Sequence, residues 1–359
     1  YGTAEDLLTL NPVLTISIGS ETFTCQIFDM LMKTRVDSTG AAVVVPSLAS
    51  DYPVYSADGK TVTVHLRNDV YWHDGVKFNA TDVKFTFDGV IDKATWSSGY
   101  SDFSSVIDSV EIKDEYTVVF HLKAPCAYFN ALLASSYGGF IIPEHILRGV
   151  EHSKWRTHPT NTQAPMPGTG PFKFVKWERD VGWEVEANKN YFLGEPMVDR
   201  IYNRFITSTA TGLMALQNHE IDFGDCWSAT IDEINAMRSD PTLKVTQENT
   251  PAIQYFGFNL HHPILSNRYV RQAIAHAIPY EHIINDLLPN LGFTGIRATG
   301  PITPLHGYLY NTELKPIEYD LAKAQQYLNM WKYSQVGTDH TLGPVGDGDF
   351  SGLVEVADF

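Results

Sequence analysis

Apolar and polar residues alternate over residues 61–67, and this period of two predicts a half-buried strand. Val62, Val64 and Leu66 share one face, while threonine, histidine and arginine occupy the other. The Asp58–Gly59 pair before them is a turn dipeptide, so a preceding strand is expected to fold back as a hairpin. The pattern therefore predicts an antiparallel sheet here.

Helical spacing replaces strand spacing after residue 79. Val83, Phe87 and Val90 recur three or four positions apart, which gives a helix one apolar face. Asn79 is a good N-cap, and Asp82 falls in the first turn, where the helix dipole favours negative charge. We expect a capped helix with one apolar face.

The same patterns predict a mixed α/β chain elsewhere. Within residues 1–45 we expect a strand, a loop and then a helix around Cys25–Met32. Further strands are expected in 172–177, 183–187, 200–205 and 243–247, and further helices in 266–278, 280–288 and 319–331.

Five short motifs follow one another in the first third of the chain: Pro46-Ser47-Leu48-Ala49, Asp58-Gly59, Leu66-Arg67, His73-Asp74-Gly75 and Ala80-Thr81-Asp82-Val83. In this order they resemble extracellular solute-binding proteins of the dipeptide/oligopeptide/nickel class, family 5 (cluster C), of ABC transporters. The resemblance continues through Gly168-Thr169-Gly170-Pro171-Phe172, residues 188–199 and residues 256–278. Two departures are His219, where the family usually has glycine, and Pro279, where it commonly has aspartate.

The resemblance implies a periplasmic-binding-protein-like two-lobe fold of type II with an extra inserted α/β domain. The first lobe, domain I, would comprise residues 1–45 and 170–250, with domain II inserted as 46–169. Residues 251–335 would be the start of domain III, a truncated second lobe, and 336–359 would form a tail. A half-built lobe would leave Leu321, Leu328 and Trp331 uncovered, so an incomplete chain is expected.

Composition and charge narrow the function. The chain has 359 residues, enough for two or more domains, and no apolar run long enough for a membrane span. A net charge of −16 disfavours nucleic acid and anionic membrane surfaces as partners. Three well-separated cysteines show no metal-ligand spacing, and we expect them to pack as small hydrophobes. The alternative is that two of them form one disulfide and the third is left over.

The tail carries a calcium-type loop. Its oxygen ligands would be Asp347, Asp349, Ser351, the Leu353 carbonyl, Glu355 and Asp358, with a turn at Gly352. Aspartate at the last position and the absence of an entering helix resemble dockerin modules. Calcium is thus the one cofactor considered, and an acidic tail without metal is the alternative.

The binding site must be inferred from the resemblance. The family encloses a ligand between domains I and III, which close about a hinge. This implies ligand contacts from Ser20 and Glu21 in the loop after the first strand, Trp227 after the strand near Asp222, and Thr250 and Tyr255 at the crossing. An aromatic content of 12% suits stacking on sugars or peptide side chains.

The leading interpretation is the extracellular or cell-surface (periplasmic in a Gram-negative source) binding component of an ABC importer. It would capture an oligopeptide or oligosaccharide and deliver it to a membrane permease. The alternative is a structural surface protein that reuses the fold and binds a cell-surface partner through the tail. An enzyme is not expected, because the sequence carries no nucleophile elbow, zinc-protease helix or phosphate loop.

Overall fold

The computed structural model describes residues 2–3, 5–38, 42–224, 229–246, 253–290, 293–305 and 310–335. These belong to two compact units, Tyr1–Thr246 and Gln247–Phe359. The fold is mixed α/β, as the sequence predicted.

The first unit contains a four-stranded sheet with the order β1-β10-β9-β8. Its strands are β1 (Gly2–Thr3), β8 (Phe172–Glu178), β9 (Gly182–Ala187) and β10 (Arg200–Phe205). The pairs β8/β9 and β9/β10 are antiparallel, whereas β1 runs parallel to β10. The predicted strands at 172–177, 183–187 and 200–205 are thereby confirmed.

The helix packed on this sheet is α1 (Ile18–Ile27), and the prediction of a helix around Cys25–Met32 was wrong. The Ser17 side chain accepts the backbone N–H of Ser20 at 3.3 Å, so the helix begins seven residues earlier than expected. Phe23 meets the Trp183 ring edge-to-face at 5.5 Å. The buried stretch from Phe28 to Met32 is an extended connection, which resembles a helix only by its apolar content.

A two-stranded sheet follows α1, made of β2 (Met32–Val36) and β3 (Ala42–Pro46). The next sheet has the order β4-β5-β7-β6, with β4 (Val54–Tyr55), β5 (Thr61–His65), β6 (Ile107–Asp114) and β7 (Thr117–Leu122). The β4–β5 hairpin is confirmed, with Gly59 at a φ of +66° in its turn. Val62 and Val64 are fully buried, as the alternation predicted.

The predicted helix after Asn79 is α2 (Ala80–Val90), and Val83, Phe87 and Val90 are fully buried. Asn79 accepts the Thr81 N–H at 2.7 Å, and the Asp82 carboxylate accepts the Asn79 N–H at 3.0 Å in a capping box. The same carboxylate also binds the Glu144 N–H at 2.9 Å. Asp82 therefore joins the starts of α2 and of α5 (Glu144–Leu147).

The remaining helices of the first unit are α3 (Tyr100–Val106), α4 (Phe129–Leu132), α6 (Thr209–Gln217) and α7 (Ile231–Ser239). One large core cluster extends from Leu7 to Val185, and a smaller one unites α6 and α7. The strand predicted at 243–247 is absent over residues 243–246. The boundaries predicted for domains I to III remain predictions.

The second unit contains α8 (Arg268–Ala277) and α11 (Leu321–Gln335), which confirm two predicted helices. Between them, α9 (Tyr280–His282) continues through a π-helical turn at Ile283–Leu287 into α10 (Leu288–Asn290). The His276 ring stacks on that of Tyr327 at 5.5 Å. Of the three side chains that a half-built lobe would leave uncovered, Trp331 is buried, Leu328 is half-buried and Leu321 is exposed.

Candidate functional site

The carboxyl edge of the four-stranded sheet collects several loops of the first unit. Gly2 in β1 pairs in parallel with Arg204 on one side and with Gly224 on the other. Its backbone N–H also donates to the Phe223 carbonyl at 3.1 Å. Since parallel segments end at the same edge, the chain following each of them meets there, which is where open α/β sheets bind ligands.

The loop that follows β1 is fixed rather than free. One oxygen of the Asp6 carboxylate accepts the Trp177 indole N–H at 2.9 Å, and the other accepts the Asp180 backbone N–H at 2.9 Å. The Leu8 N–H donates to the Ser20 hydroxyl oxygen at 2.9 Å. A Cβ atom on Gly19 would lie 2.9 Å from the Glu5 carbonyl oxygen, so α1 begins directly against this loop.

Apolar side chains face solvent where α1 begins. Ile16 is 69% exposed and Ile18 is 74% exposed, although both flank the cap residue of a helix whose other face is buried. Leu8 is exposed as well. We call Leu8, Ile16, Ile18 and Glu21 the edge surface, since all four lie on the loop after β1 or at the start of α1. The edge surface offers apolar area beside one carboxylate.

The structure describes three of the five predicted ligand contacts. Ser20 lies in the first turn of α1 rather than in a loop, is fully buried, and also accepts the Ser17 hydroxyl at 3.1 Å. Its hydroxyl is engaged in hydrogen bonds within the first unit, and a ligand contact from Ser20 stays a prediction. Glu21 is half-buried in the same turn. Tyr255, in the second unit, is 85% exposed, and Trp227 and Thr250 lie outside the described residues.

A partly buried set of hydrogen bonds, which we call the clasp, connects the HDG turn to the Gly168–Gly170 segment. The Gly168 N–H donates to His73 Nδ1 at 3.2 Å, and His73 Nε2 lies 3.0 Å from the Gly170 carbonyl oxygen. One ring nitrogen therefore accepts and the other donates, which defines a neutral tautomer. Burial lowers the pKa of His73 to about 4, so the ring stays neutral at pH 7.

Asp29 forms a second junction beside that clasp, and its side chain is buried. Its carboxylate accepts the Thr169 hydroxyl at 3.0 Å and the Tyr191 hydroxyl at 2.9 Å. Burial raises the pKa of Asp29, and the two hydroxyl donors oppose that shift. Asp29 thus connects the end of α1 to Thr169 and Tyr191, while His73 connects the HDG turn to the same Gly168–Gly170 segment.

No cluster of three or more histidine, cysteine or acidic side chains suitable for a metal ion occurs among the described residues. The six residues of the calcium-type loop, Asp347 to Asp358, lie outside them, so calcium binding stays a prediction. Cys25 and Cys126 are free thiols; Cys126 packs as a buried hydrophobe as expected, whereas Cys25 is exposed, and Cys226 lies outside the described residues. Within the described chain, no helix is both long and apolar enough to cross a membrane.

Sequence reasoning missed the most exposed apolar residues of the edge surface, Ile16 and Ile18. It placed the contacts at Ser20 and Glu21, which are two to five positions later. The signal was present as two isoleucines around Ser17, a residue that favours the helix N-cap. Isoleucines just outside and just inside a cap have no preceding turn to cover them, so exposure was predictable once the helix start was fixed.

Comparison with known proteins identifies relatives that cover most of the chain. Residues 43–349 match the family described as bacterial extracellular solute-binding proteins, family 5 Middle. A Brucella ovis protein provisionally named as an ABC transporter peptide-binding protein is 32% identical over 286 residues, which are 80% of this chain and 51% of that protein. The chain thus spans about half the length of this relative.

Solved structures of binding proteins are also similar to this chain. The oligopeptide-binding protein AppA of Bacillus subtilis, in complex with a nonapeptide, superposes with a TM-score of 0.77 at 26% identity, covering 96% of this chain and 64% of AppA. NikZ of Campylobacter jejuni, in complex with Ni(L-His), gives a TM-score of 0.75 at 28% identity, covering 92% of this chain and 62% of NikZ. Two-lobe binding proteins of this kind confirm the predicted fold class.

Proposed function

This chain belongs to the bacterial extracellular solute-binding proteins of family 5, and from that premise we propose that it binds an oligopeptide for an ABC importer. The proposal applies to this protein the peptide binding that the names of its relatives state. The oligopeptide-binding protein AppA, 28% identical over the 272 residues aligned by sequence, and a di/tripeptide-binding protein of Pseudomonas aeruginosa, 28% identical over 302 residues, are both named for peptides. The protein would act outside the cytoplasm and deliver its ligand to a membrane permease.

The observation that carries the proposal is the edge surface at the carboxyl edge of the sheet. Ile16 and Ile18 offer apolar area beside the first turn of α1, and Glu21 offers a carboxylate. A peptide presents alternating apolar side chains and, at one end, an ammonium group. Apolar burial with one charge contact is the usual chemistry of such ligand sites. Affinity, rather than bond making, is the expected contribution of these residues.

Hinge closure completes the proposed mechanism. A ligand held on the first lobe would be enclosed when the second lobe closes over it, and the closed form would be the state that the permease recognises. Tyr255, Thr250 and Trp227 remain the proposed contacts at and beyond the crossing. Energy for transport would come from the transporter's ATPase.

Isothermal titration with defined tripeptides tests the edge surface. Ile18→Asp removes an exposed apolar side chain, yet it places an acidic residue in the first turn of α1, where the helix dipole favours it. We expect unchanged folding and at least a tenfold loss of affinity, about 1.4 kcal/mol. The matched control is Met197→Asp, on a fully exposed loop residue. Equal affinities for the two variants would refute the assignment.

A further inference from the structure

The loop before α3 holds one tryptophan in an unusual backbone conformation. Trp96 has φ 59° and ψ 35°, in the left-handed region that bulky residues avoid. A short 3₁₀ turn, Lys93–Thr95, leads into it, and the Trp96 N–H donates to the Lys93 carbonyl at 3.3 Å. Such a conformation persists only where the surrounding structure determines it.

Hydrogen bonds on the N-terminal side of Trp96 help to hold its backbone in this conformation. The Asp92 carboxylate accepts the Ala94 N–H at 2.8 Å and contacts His152 Nδ1 at 2.7 Å. Thr95 is fully buried. The chain that enters Trp96 is therefore tied both to its own turn and to the segment around residue 152.

The anchors on the C-terminal side are equally firm. The Ser98 backbone N–H and hydroxyl both donate to the Val13 carbonyl, at 3.0 and 3.3 Å. Ser97 is buried, and a Cβ atom on Gly99 would lie 2.4 Å from the Tyr137 carbonyl oxygen. A loop this tightly packed on both sides can present the side chain between them in a fixed position.

That side chain points away from the core. Trp96 is 71% exposed, whereas the other described tryptophans are buried or half-buried. The guanidinium carbon of Arg156 lies 5.5 Å from the centre of its ring, within cation–π range. One face of the indole is thus occupied by Arg156, and the rest of its surface stays accessible.

The two hydrogen bonds from Ser98 to the Val13 carbonyl join the tryptophan loop to the segment that leads into α1. Val13 lies in the short turn Pro12–Leu14, three residues before the exposed Ile16. The tryptophan loop and the loop leading into α1 are therefore neighbours within one unit. An exposed aromatic ring on a rigid loop offers contact area without an ordering cost on binding.

We propose that Trp96, backed by Arg156, is a subsite for an aromatic side chain of the bound peptide. This rests on the proposed function, because it names which part of a peptide the site selects. The accessible part of the indole would take the incoming ring in an offset or edge-to-face arrangement. Arg156 would hold the orientation of the indole and is a positioning residue.

The test uses trialanine and the three tripeptides in which one alanine is replaced by phenylalanine, with affinity measured by calorimetry. For Trp96→Ala we expect about a tenfold loss of affinity, 1.4 kcal/mol, for phenylalanine at one position. The affinity for trialanine should change less than about twofold, and Trp96→Phe should recover most of the loss. The control is Tyr52→Ala, which removes another exposed aromatic side chain of the same unit.

Trp96→Gly separates binding from folding. Glycine adopts a φ of 59° without strain, so this variant should be at least as stable as wild type while losing the same affinity. If Trp96 variants weaken all four peptides equally, or none of them, the subsite is wrong although peptide binding stands. If the wild type binds none of the four, the proposed function fails first and the subsite fails with it.

Discussion

Removing the Asp82 carboxylate tests whether one side chain joins two helix starts. Asp82 is buried and accepts three hydrogen bonds, from the Trp72 indole at 3.2 Å, the Asn79 N–H at 3.0 Å and the Glu144 N–H at 2.9 Å. In Asp82→Ala all three donors lose their acceptor. The Glu144 donor is 62 residues away, so the perturbation reaches beyond α2 itself.

The magnitude follows from the burial of each donor. A buried donor left without a partner costs about 1–3 kcal/mol. The Trp72 ring is buried, while Asn79 and Glu144 are half-buried, so water recovers part of their loss. Burial raises the pKa of Asp82, which means that its charged form carries a desolvation cost that the alanine variant no longer has. The balance is about 3 kcal/mol of destabilisation.

Urea unfolding followed by circular dichroism measures this loss, and thermal unfolding should show a fall in Tm of about 6–12 °C. The control is Asp88→Ala on the same helix, which loses only the partly exposed pair with Lys84 and should cost about 0.5 kcal/mol or less. A cost for Asp82→Ala below about 1 kcal/mol, close to that of the control, would refute the account of Asp82 as a junction.

Two further predictions concern the clasp at the sheet. Gly168→Ala should abolish folding of the first unit, because its Cβ would lie 1.7 Å from the Ile27 carbonyl oxygen; Gly212→Ala, within α6, has room and should be neutral or stabilising by thermal unfolding. Because the folded-state pKa of His73, about 4, lies below the ordinary value of 6.5, the unfolded chain binds the extra proton. The contribution of neutral His73 to the free energy of unfolding is present above pH 6.5 and is lost as the pH falls to about 4. Across that window the free energy of unfolding of wild type should fall by roughly 3 kcal/mol relative to that of His73→Gln. Parallel curves of unfolding free energy against pH for the two proteins would contradict this.

Much of the fold was predictable because the signals are local. The β4–β5 hairpin follows from alternation and a turn dipeptide, and α2 follows from a cap and an apolar stripe. The helix around Cys25–Met32 was mispredicted because a buried extended run and a helix look alike when apolar content alone is read. Short-range information also predicted that Asp82 lies in the first turn of α2, but neither its bond to the Asn79 N–H nor its bond to the Glu144 N–H, which depends on the tertiary fold.

The candidate site was predictable only to within a few residues. Family resemblance pointed to the segment around Ser20 and Glu21, and the structure places the exposed side chains at Ile16 and Ile18 instead. The exposed position of Trp96 could not be predicted from sequence. Its left-handed backbone is held by its neighbours, since Ser98 bonds to Val13 and Asp92 bonds to His152. Those partners are distant in sequence, so no local pattern records them.

The most direct test of peptide binding is ligand-induced thermal stabilisation of the purified protein, screened with tripeptides, oligosaccharides and calcium in separate wells. A ligand present at 100 times its Kd should stabilise the folded state by about 2.7 kcal/mol and raise Tm by about 5–10 °C. The account predicts such a shift with peptides. A shift with oligosaccharides alone, with calcium alone or with none of the three would contradict it.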